Sequence, residues 1–174
     1  MSAPQPFFIL CPLRSFSSLV CGMLGQHPQF IGLPELNLFM GDDVRELHDM
    51  LRRRGRGHAI NGVMRTLAQF MYGEQTVESV NKTEQWLYSE QRTTKEVCDY
   101  IIELAAPRAI IDKSPATVMN PGSLERLYEM YPDALYLHLT RHPRPTCKSM
   151  LDLVGRNHEW GGKFDANKMD PENV

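Results

Sequence analysis

The sequence predicts an α/β fold in which a parallel sheet is flanked by helices, and three observations predict it. Phe7-Phe8-Ile9-Leu10-Cys11 is an unbroken apolar run of strand length closed by Pro12, as expected of a strand buried on both faces of a parallel sheet. Two more runs of strand length, Ala109-Ile110-Ile111-Asp112 and Leu135 to Thr140, come much later in the chain. Between the runs, apolar residues recur at helical spacing, and strand and helix signals in alternation are the pattern of a parallel α/β sheet.

The first strand runs directly into the polar loop Arg14-Ser15-Phe16-Ser17-Ser18. Leu19, Val20, Met23 and Leu24 then recur at helical spacing, with Ser17 or Ser18 able to cap the start and Gly25 near the end. Phe30-Ile31-Gly32 reads as a short second strand, after which Pro34-Glu35-Leu36 opens a long helical region reaching to about Ala106. Within it Val97, Tyr100, Ile101 and Leu104 follow the i, i+3, i+4, i+7 rule, and Val63, Leu67, Phe70 and Met71 nearly do. These helices are expected to cover the sheet. Ala109 to Asp112 is the third strand and Leu135 to Thr140 the fourth, separated by a helix with Leu124, Leu127, Tyr128 and Tyr131 on one face. A last helix runs from Pro143 or Pro145 to Val154, because proline is tolerated in a first helical turn. Beyond Gly155 the chain is rich in Gly, Asn, Asp and Lys. The organisation is therefore one domain over residues 1–174: a core from 7–33 and 107–155, a helical region on the substrate side over 35–106, and an irregular tail over 156–174. No internal repeat is evident.

A chain of 174 residues is long enough to bury a sizeable core without disulfides or metals. Its net charge of −2 offers no bulk attraction for nucleic acid or an anionic membrane, so any anion binding must be local. Cys11, Cys21, Cys98 and Cys147 fall at irregular spacings without a CxxC pair, which argues against a disulfide framework or a zinc site. Cys11, inside an apolar run, reads as a buried thiol. The run from Phe7 to Cys11 is far shorter than the ~20 residues that span a bilayer, and no basic segment of the signal-peptide kind precedes it. A cytoplasmic location follows as the expectation, with neither membrane nor nucleic acid as partner.

In a parallel sheet the loops at the carboxyl ends of the strands converge on one edge, where ligands bind. Three such loops carry groups suited to anions. Arg14, Ser15, Ser17 and Ser18 follow the first strand, and the N-terminus of the next helix adds the positive end of its dipole. Lys113 and Ser114 follow the third strand; Arg141 follows the fourth, with Lys148 and Ser149 about two turns into the next helix. Each alone has an ordinary reading as a surface charge or a helix cap, and their convergence is what points to a phosphate-like ligand. A Walker loop would need its glycines and lysine between Pro12 and Ser18, and a dinucleotide fold would need G-x-G-x-x-G there. Both are absent.

Pro12-Leu13-Arg14-Ser15-Phe16-Ser17-Ser18-Leu19 resembles the 5′-phosphosulfate loop of sulfotransferases, written P-x-R-S-G, two Ser or Thr, then Leu. His27-Pro28 and Pro34-Glu35-Leu36 are similar to the same family, as is Ile111-Asp112-Lys113-Ser114-Pro115. Tyr136 to Pro143 with Ser149 resembles its 3′-phosphate signature. The pieces stand in the family's order over Phe7 to about Leu151. They look most like the bacterial branch of stand-alone enzymes and polyketide-synthase domains, with tyrosylprotein sulfotransferases similar more distantly.

The resemblance implies a P-loop-like nucleotide-binding fold and 3′-phosphoadenosine 5′-phosphosulfate (PAPS) as sulfuryl donor, with no metal. It implies an acceptor that bears a hydroxyl, either a small molecule or one tethered to a carrier. Arg14, Ser15, Phe16, Ser17 and Ser18 are then expected at the 5′-phosphosulfate, Arg141 and Ser149 at the 3′-phosphate, Lys113 at the leaving oxygen and Glu35 as base. The other reading of Glu35 is an acidic residue in a first helical turn, with a histidine of the family's further C-terminal part as base. Family members continue for roughly another hundred residues, about a further half domain, so this chain is expected to be a front part. Phe16 stands where the family has glycine, so a strained loop is expected, and a nucleotide-binding module without turnover is the rival function. His27 reads as a turn residue, His138 as a core or interface histidine, and Arg52 to Arg56 as a solvated face that could alternatively dock an acidic carrier. Asn81-Lys82-Thr83 matches a glycosylation acceptor only formally.

Overall fold

The computed structural model describes residues 4–159, with side chains as far as Leu153. Strands β1 (Phe7–Leu10), β2 (Phe30–Gly32), β3 (Ala109–Asp112) and β4 (Leu135–His138) form one sheet in the order β2-β3-β1-β4. Every neighbouring pair is parallel, with Phe7 opposite Ile111 on one side and Leu135 on the other. Helices α1 (Ser17–Leu24), α2 (Val44–Arg53), α3 (Asn61–Tyr72), α4 (Val77–Ser89), α5 (Thr94–Ala105), α6 (Ala116–Met119), α7 (Pro121–Met130) and α8 (Pro143–Glu159) make up the rest of the regular structure.

Side chains alternate between the two faces of a strand, and this alternation divides the core in two. Phe8 and Ile110 join Leu36, Leu67, Ile101 and Leu127 in the larger cluster, beneath the helices that follow β2. Ile9 and Ile111 turn to the opposite face and pack with Cys11 and Cys21 under α1. Both faces of β1 are thereby covered, as its continuous apolar run requires. The chain leaves β1 towards β2 and β3 on one side and later crosses to β4 on the other, which places the topological switch point at the carboxyl end of β1.

Several expectations change in three dimensions. The helical region does not open at Pro34: residues 34–37 are irregular, and a 3-10 turn at Leu38–Met40 comes first. The rest divides into four α-helices and a second 3-10 turn at Gly57–Ile60. The breaks are chemically marked, since Asp43, Thr76 and Thr93 cap α2, α4 and α5 with side-chain oxygens, and Gly73 closes α3 at φ 77°. Leu19 and Met23 of α1 are 61% and 65% exposed, because its buried stripe is centred on Cys21. Gly25 has ordinary right-handed torsions, and its missing side chain matters for proximity: a Cβ there would sit 2.7 Å from the Gly32 nitrogen. Leu127 of α7 and Tyr131 just after it are buried, while Leu124 and Tyr128 face outward. β4 stops at His138, which is exposed on the edge strand instead of lying in the core. Residues 156–159, expected in the irregular tail, continue α8; the remainder of that tail lies outside the described residues.

Candidate functional site

All four strand ends lead to one edge of the sheet. The loop from Cys11 to Phe16 leaves β1 and reaches α1 through two left-handed residues that are not glycine, Arg14 at φ 63° and Phe16 at φ 61°. Between them Ser15 is buried, and its Oγ has no hydrogen-bond partner. Phe16 occupies the N-cap position of α1 and has no oxygen to offer, so the first N–H groups of that helix have no side-chain cap. A buried hydroxyl and uncapped amides side by side are groups that an anion with its own oxygens satisfies.

Two guanidinium groups tie this loop to the far side of the sheet. Arg141, just beyond β4, donates from Nη1 to the Arg14 carbonyl at 2.7 Å, and its guanidinium carbon lies 3.9 Å from the centre of the Phe16 ring. Arg14 donates from Nε to Ser149 Oγ on α8 at 2.9 Å. Residues 13–19, Glu35, Pro115, Arg141 and Ser149 together line a cleft of about 340 Å³. Lys148, one position before Ser149, instead pairs with Asp152 at 3.5 Å on the exposed surface.

Glu35 and Lys113 meet beside this cleft. Lys113 Nζ donates to Glu35 Oε1 at 2.6 Å, with the lysine side chain 10% exposed and the glutamate 42%. Neighbouring hydrogen bonds hold the two segments side by side. Leu33 N donates to the Ile111 carbonyl, continuing the β2–β3 pairing by one bond. Asp112 Oδ1 then accepts from Leu36 N at 3.2 Å and from Ser114 Oγ at 2.9 Å, while Ser114 Oγ accepts from Asn37 N at 2.9 Å. Burial pushes the Asp112 carboxyl up to about 6, opposed in part by the Leu36 and Ser114 hydrogen bonds and the Lys113 charge. Burial likewise raises the Cys11 and Cys21 thiols, so neither is a ready thiolate.

Of the residues singled out in the sequence, Arg14, Ser15, Phe16, Ser17, Ser18, Glu35, Arg141 and Ser149 share the cleft, and Lys113 reaches it through Glu35. The tether made by Asp112, Ser114 and Asn37 was not anticipated. Its one signal in the sequence is an acidic residue closing an otherwise apolar strand. His27 is a turn residue whose Nδ1 accepts from Gln29 N at 3.3 Å. Arg52, Arg53, Arg54 and Arg56 are exposed at and just beyond the end of α2. Among the described residues, no group of three or more His, Cys, Asp or Glu side chains is placed to hold a metal, and no helix is long and apolar enough to cross a membrane.

The profile of the Sulfotransferase family matches residues 6–172, nearly the whole chain. The chain belongs to the sulfotransferase family. Two solved structures of sulfotransferase domains resemble it. The domain from the Synechococcus PCC 7002 olefin synthase is 29% identical, with a TM-score of 0.73 over 88% of this chain and 55% of that one. The domain from the curacin biosynthetic pathway is 26% identical, also at 0.73, over 95% of this chain and 56% of that one. This sulfotransferase-family chain thus spans little more than half the length of the domains it resembles. No curated protein matches it.

Proposed function

We propose that the chain forms the donor-binding side of a sulfotransferase that moves the sulfuryl group of PAPS to an acceptor hydroxyl. The observation that carries this reading is one cleft in which the β1 loop, the start of α1, Arg141 and Ser149 converge beside the Glu35–Lys113 pair. The orphaned Ser15 hydroxyl and the uncapped α1 amides fit the 5′-phosphosulfate, helped by Ser17 and Ser18. Arg141 and Ser149 fit the 3′-phosphate, since a guanidinium makes bidentate, charge-assisted bonds to phosphate oxygens.

PAPS supplies an already activated sulfuryl group, so the protein's share is position and charge. The Glu35 carboxylate takes the acceptor's hydroxyl proton, and the 42% exposure of its side chain leaves it open to a substrate in the cleft. Lys113 holds that carboxylate with one N–H and keeps two for the charge that grows on the leaving oxygen. The acceptor in this reading is a small molecule or a carrier-tethered group bearing a hydroxyl.

Calorimetry tests the assignment of Arg141. Arg141→Ala is expected to weaken 3′-phosphoadenosine 5′-phosphate by about 1.5 to 3 kcal/mol, roughly 10- to 150-fold, because a charge-assisted contact is lost. Adenosine 5′-phosphate, which has no 3′-phosphate, should lose far less. Equal loss for both ligands would remove Arg141 from the 3′-phosphate. A second reading, nucleotide binding without turnover, is favoured by Phe16, whose ring engages the Arg141 guanidinium at the loop. Tight binding of 3′-phosphoadenosine 5′-phosphate by a protein that transfers no sulfuryl group to any hydroxyl acceptor would establish it.

A further inference from the structure

The irregular segment that carries Glu35 is enclosed on several sides, and one wall is built by the absence of a side chain. Gly62 is the second residue of α3, and a Cβ on it would lie 1.8 Å from the Glu35 carbonyl oxygen and 2.7 Å from its carbonyl carbon. No real contact is that short, so the first turn of α3 rests against the Glu35 backbone only because residue 62 is glycine. The next residues are held from other directions. Leu36 N is bound by Asp112, Asn37 N by Ser114, and Asn37 Nδ2 donates to the Ala59 carbonyl at 3.0 Å, just before α3. Asn37 itself is left-handed at φ 54°, a conformation that asparagine tolerates better than most residues. With Leu33 N on the Ile111 carbonyl before it and Leu36 and Asn37 bound after it, residue 35 has little room to move away from an added methyl group without disturbing one of these bonds.

We propose that Gly62 is a positioning residue for the sulfuryl-transfer site: by letting α3 abut the Glu35 backbone, it sets the Glu35 carboxylate on Lys113. This rests on the reading of Glu35 and Lys113 given above. Gly62 does not line the cleft; it acts through the 2.6 Å contact between those two side chains. A displacement of several tenths of an ångström at residue 35 passes directly to Oε1, and misplacements on the ångström scale near a reacting group cost orders of magnitude in rate.

Gly122 is a matched control. It is also the second residue of its helix, α7, and a Cβ there would meet only Asn120 Oδ1, at an ordinary 3.7 Å. Gly62→Ala and Gly122→Ala are compared for kcat, for affinity towards 3′-phosphoadenosine 5′-phosphate, and for the Lys113 ammonium signal in 15N-edited NMR. Gly62→Ala is expected to lower kcat at least tenfold, to change nucleotide affinity less than twofold, and to shift or erase the Lys113 signal. Gly122→Ala should change none of the three. An unchanged Lys113 signal and an unchanged kcat in Gly62→Ala overturn the proposal, and so does an equal loss in both variants.

If Gly62→Ala does not fold, Ser114→Ala serves in its place, because it removes the tether to Asn37 N without adding an atom. It should lower kcat and disturb the Lys113 signal in the same direction, and no change in either overturns the proposal. Glu35→Gln separates failure of the proposal from failure of the underlying reading. Near-normal turnover in Glu35→Gln removes the catalytic role and with it the effect on kcat, while the NMR comparison still decides whether Gly62 places Glu35 on Lys113.

Discussion

Phe16 concentrates the conflict between local and ligand-directed forces in this chain. At φ 61° an aromatic residue adopts a backbone conformation that costs an L-residue roughly 1 to 2 kcal/mol. Its ring returns part of that cost by stacking beneath Arg141, worth about 0.5 to 1 kcal/mol for a side chain that is itself 58% exposed. The strain is the larger quantity. Phe16→Gly is therefore expected to raise stability by about 1 kcal/mol in denaturant unfolding, and a loss of stability would show that the stacking outweighs the strain. The left-handed requirement was legible from the glycine that sulfotransferases carry at this place. The partnership with Arg141 was not, because those residues are 125 positions apart and only the β1–β4 pairing brings them together.

At the scale of elements, the end of β3 organises the site from below. Asp112 closes an apolar strand, is almost fully buried, and spends its Oδ1 on the segment that carries Glu35. Its folded-state value of about 6 lies above the ordinary 3.8. Below pH 3.8 the carboxyl is neutral whether the chain is folded or unfolded, and it contributes no pH dependence. Between 3.8 and 6 the unfolded chain releases the proton first, so stability falls as pH rises, and above 6 the penalty is constant. The span corresponds to a loss on the order of 3 kcal/mol. Asp112→Asn keeps an acceptor for Leu36 N and cannot ionise. The stability difference between variant and wild type, from urea unfolding at pH 4 and pH 7.5, should shift in the variant's favour by up to that amount. A difference that does not change with pH would mean Asp112 does not titrate in this range. Other elements follow the same division of labour: the helical period of α5 was plain in the sequence, whereas the four-way break of residues 38–105 depended on the caps Asp43, Thr76 and Thr93. A periodic apolar pattern carries through such breaks and does not mark them.

At the scale of the molecule, the cleft closes over a ring of contacts that join the β1 loop, the β4 loop and α8 through Arg14, Arg141 and Ser149. A ligand whose two phosphates engage both ends of that ring binds only the folded chain. At a concentration one hundred times its dissociation constant, 3′-phosphoadenosine 5′-phosphate should add about 2.7 kcal/mol, a rise in Tm of roughly 5 to 11 °C for a chain of this size. Thermal unfolding with and without the nucleotide measures it. Adenosine 5′-phosphate at the same molar concentration should shift Tm much less, and equal shifts would argue against a two-phosphate site.

The sequence by itself determined the class of fold, the four strands and which loops meet at the cleft. Those depend on local composition: an apolar run such as Phe7 to Cys11 has few ways to be buried, and Arg14, Ser15, Ser17 and Ser18 are consecutive enough to act as one loop. It did not determine that Pro34 to Asn37 would stay out of a helix, that His138 would face outward, or that Glu35 would rest on Lys113. Each of these is set by partners distant in the chain. Leu36 and Asn37 give their N–H groups to Asp112 at the end of β3 and to Ser114 just beyond it, 76 and 77 residues away, His138 is on an edge strand because β1 lies between β3 and β4, and the first turn of α3 limits where residue 35 can be. Local pattern carries what a segment is made of, and the energy that chooses its conformation comes from contacts that exist only once the sheet has assembled.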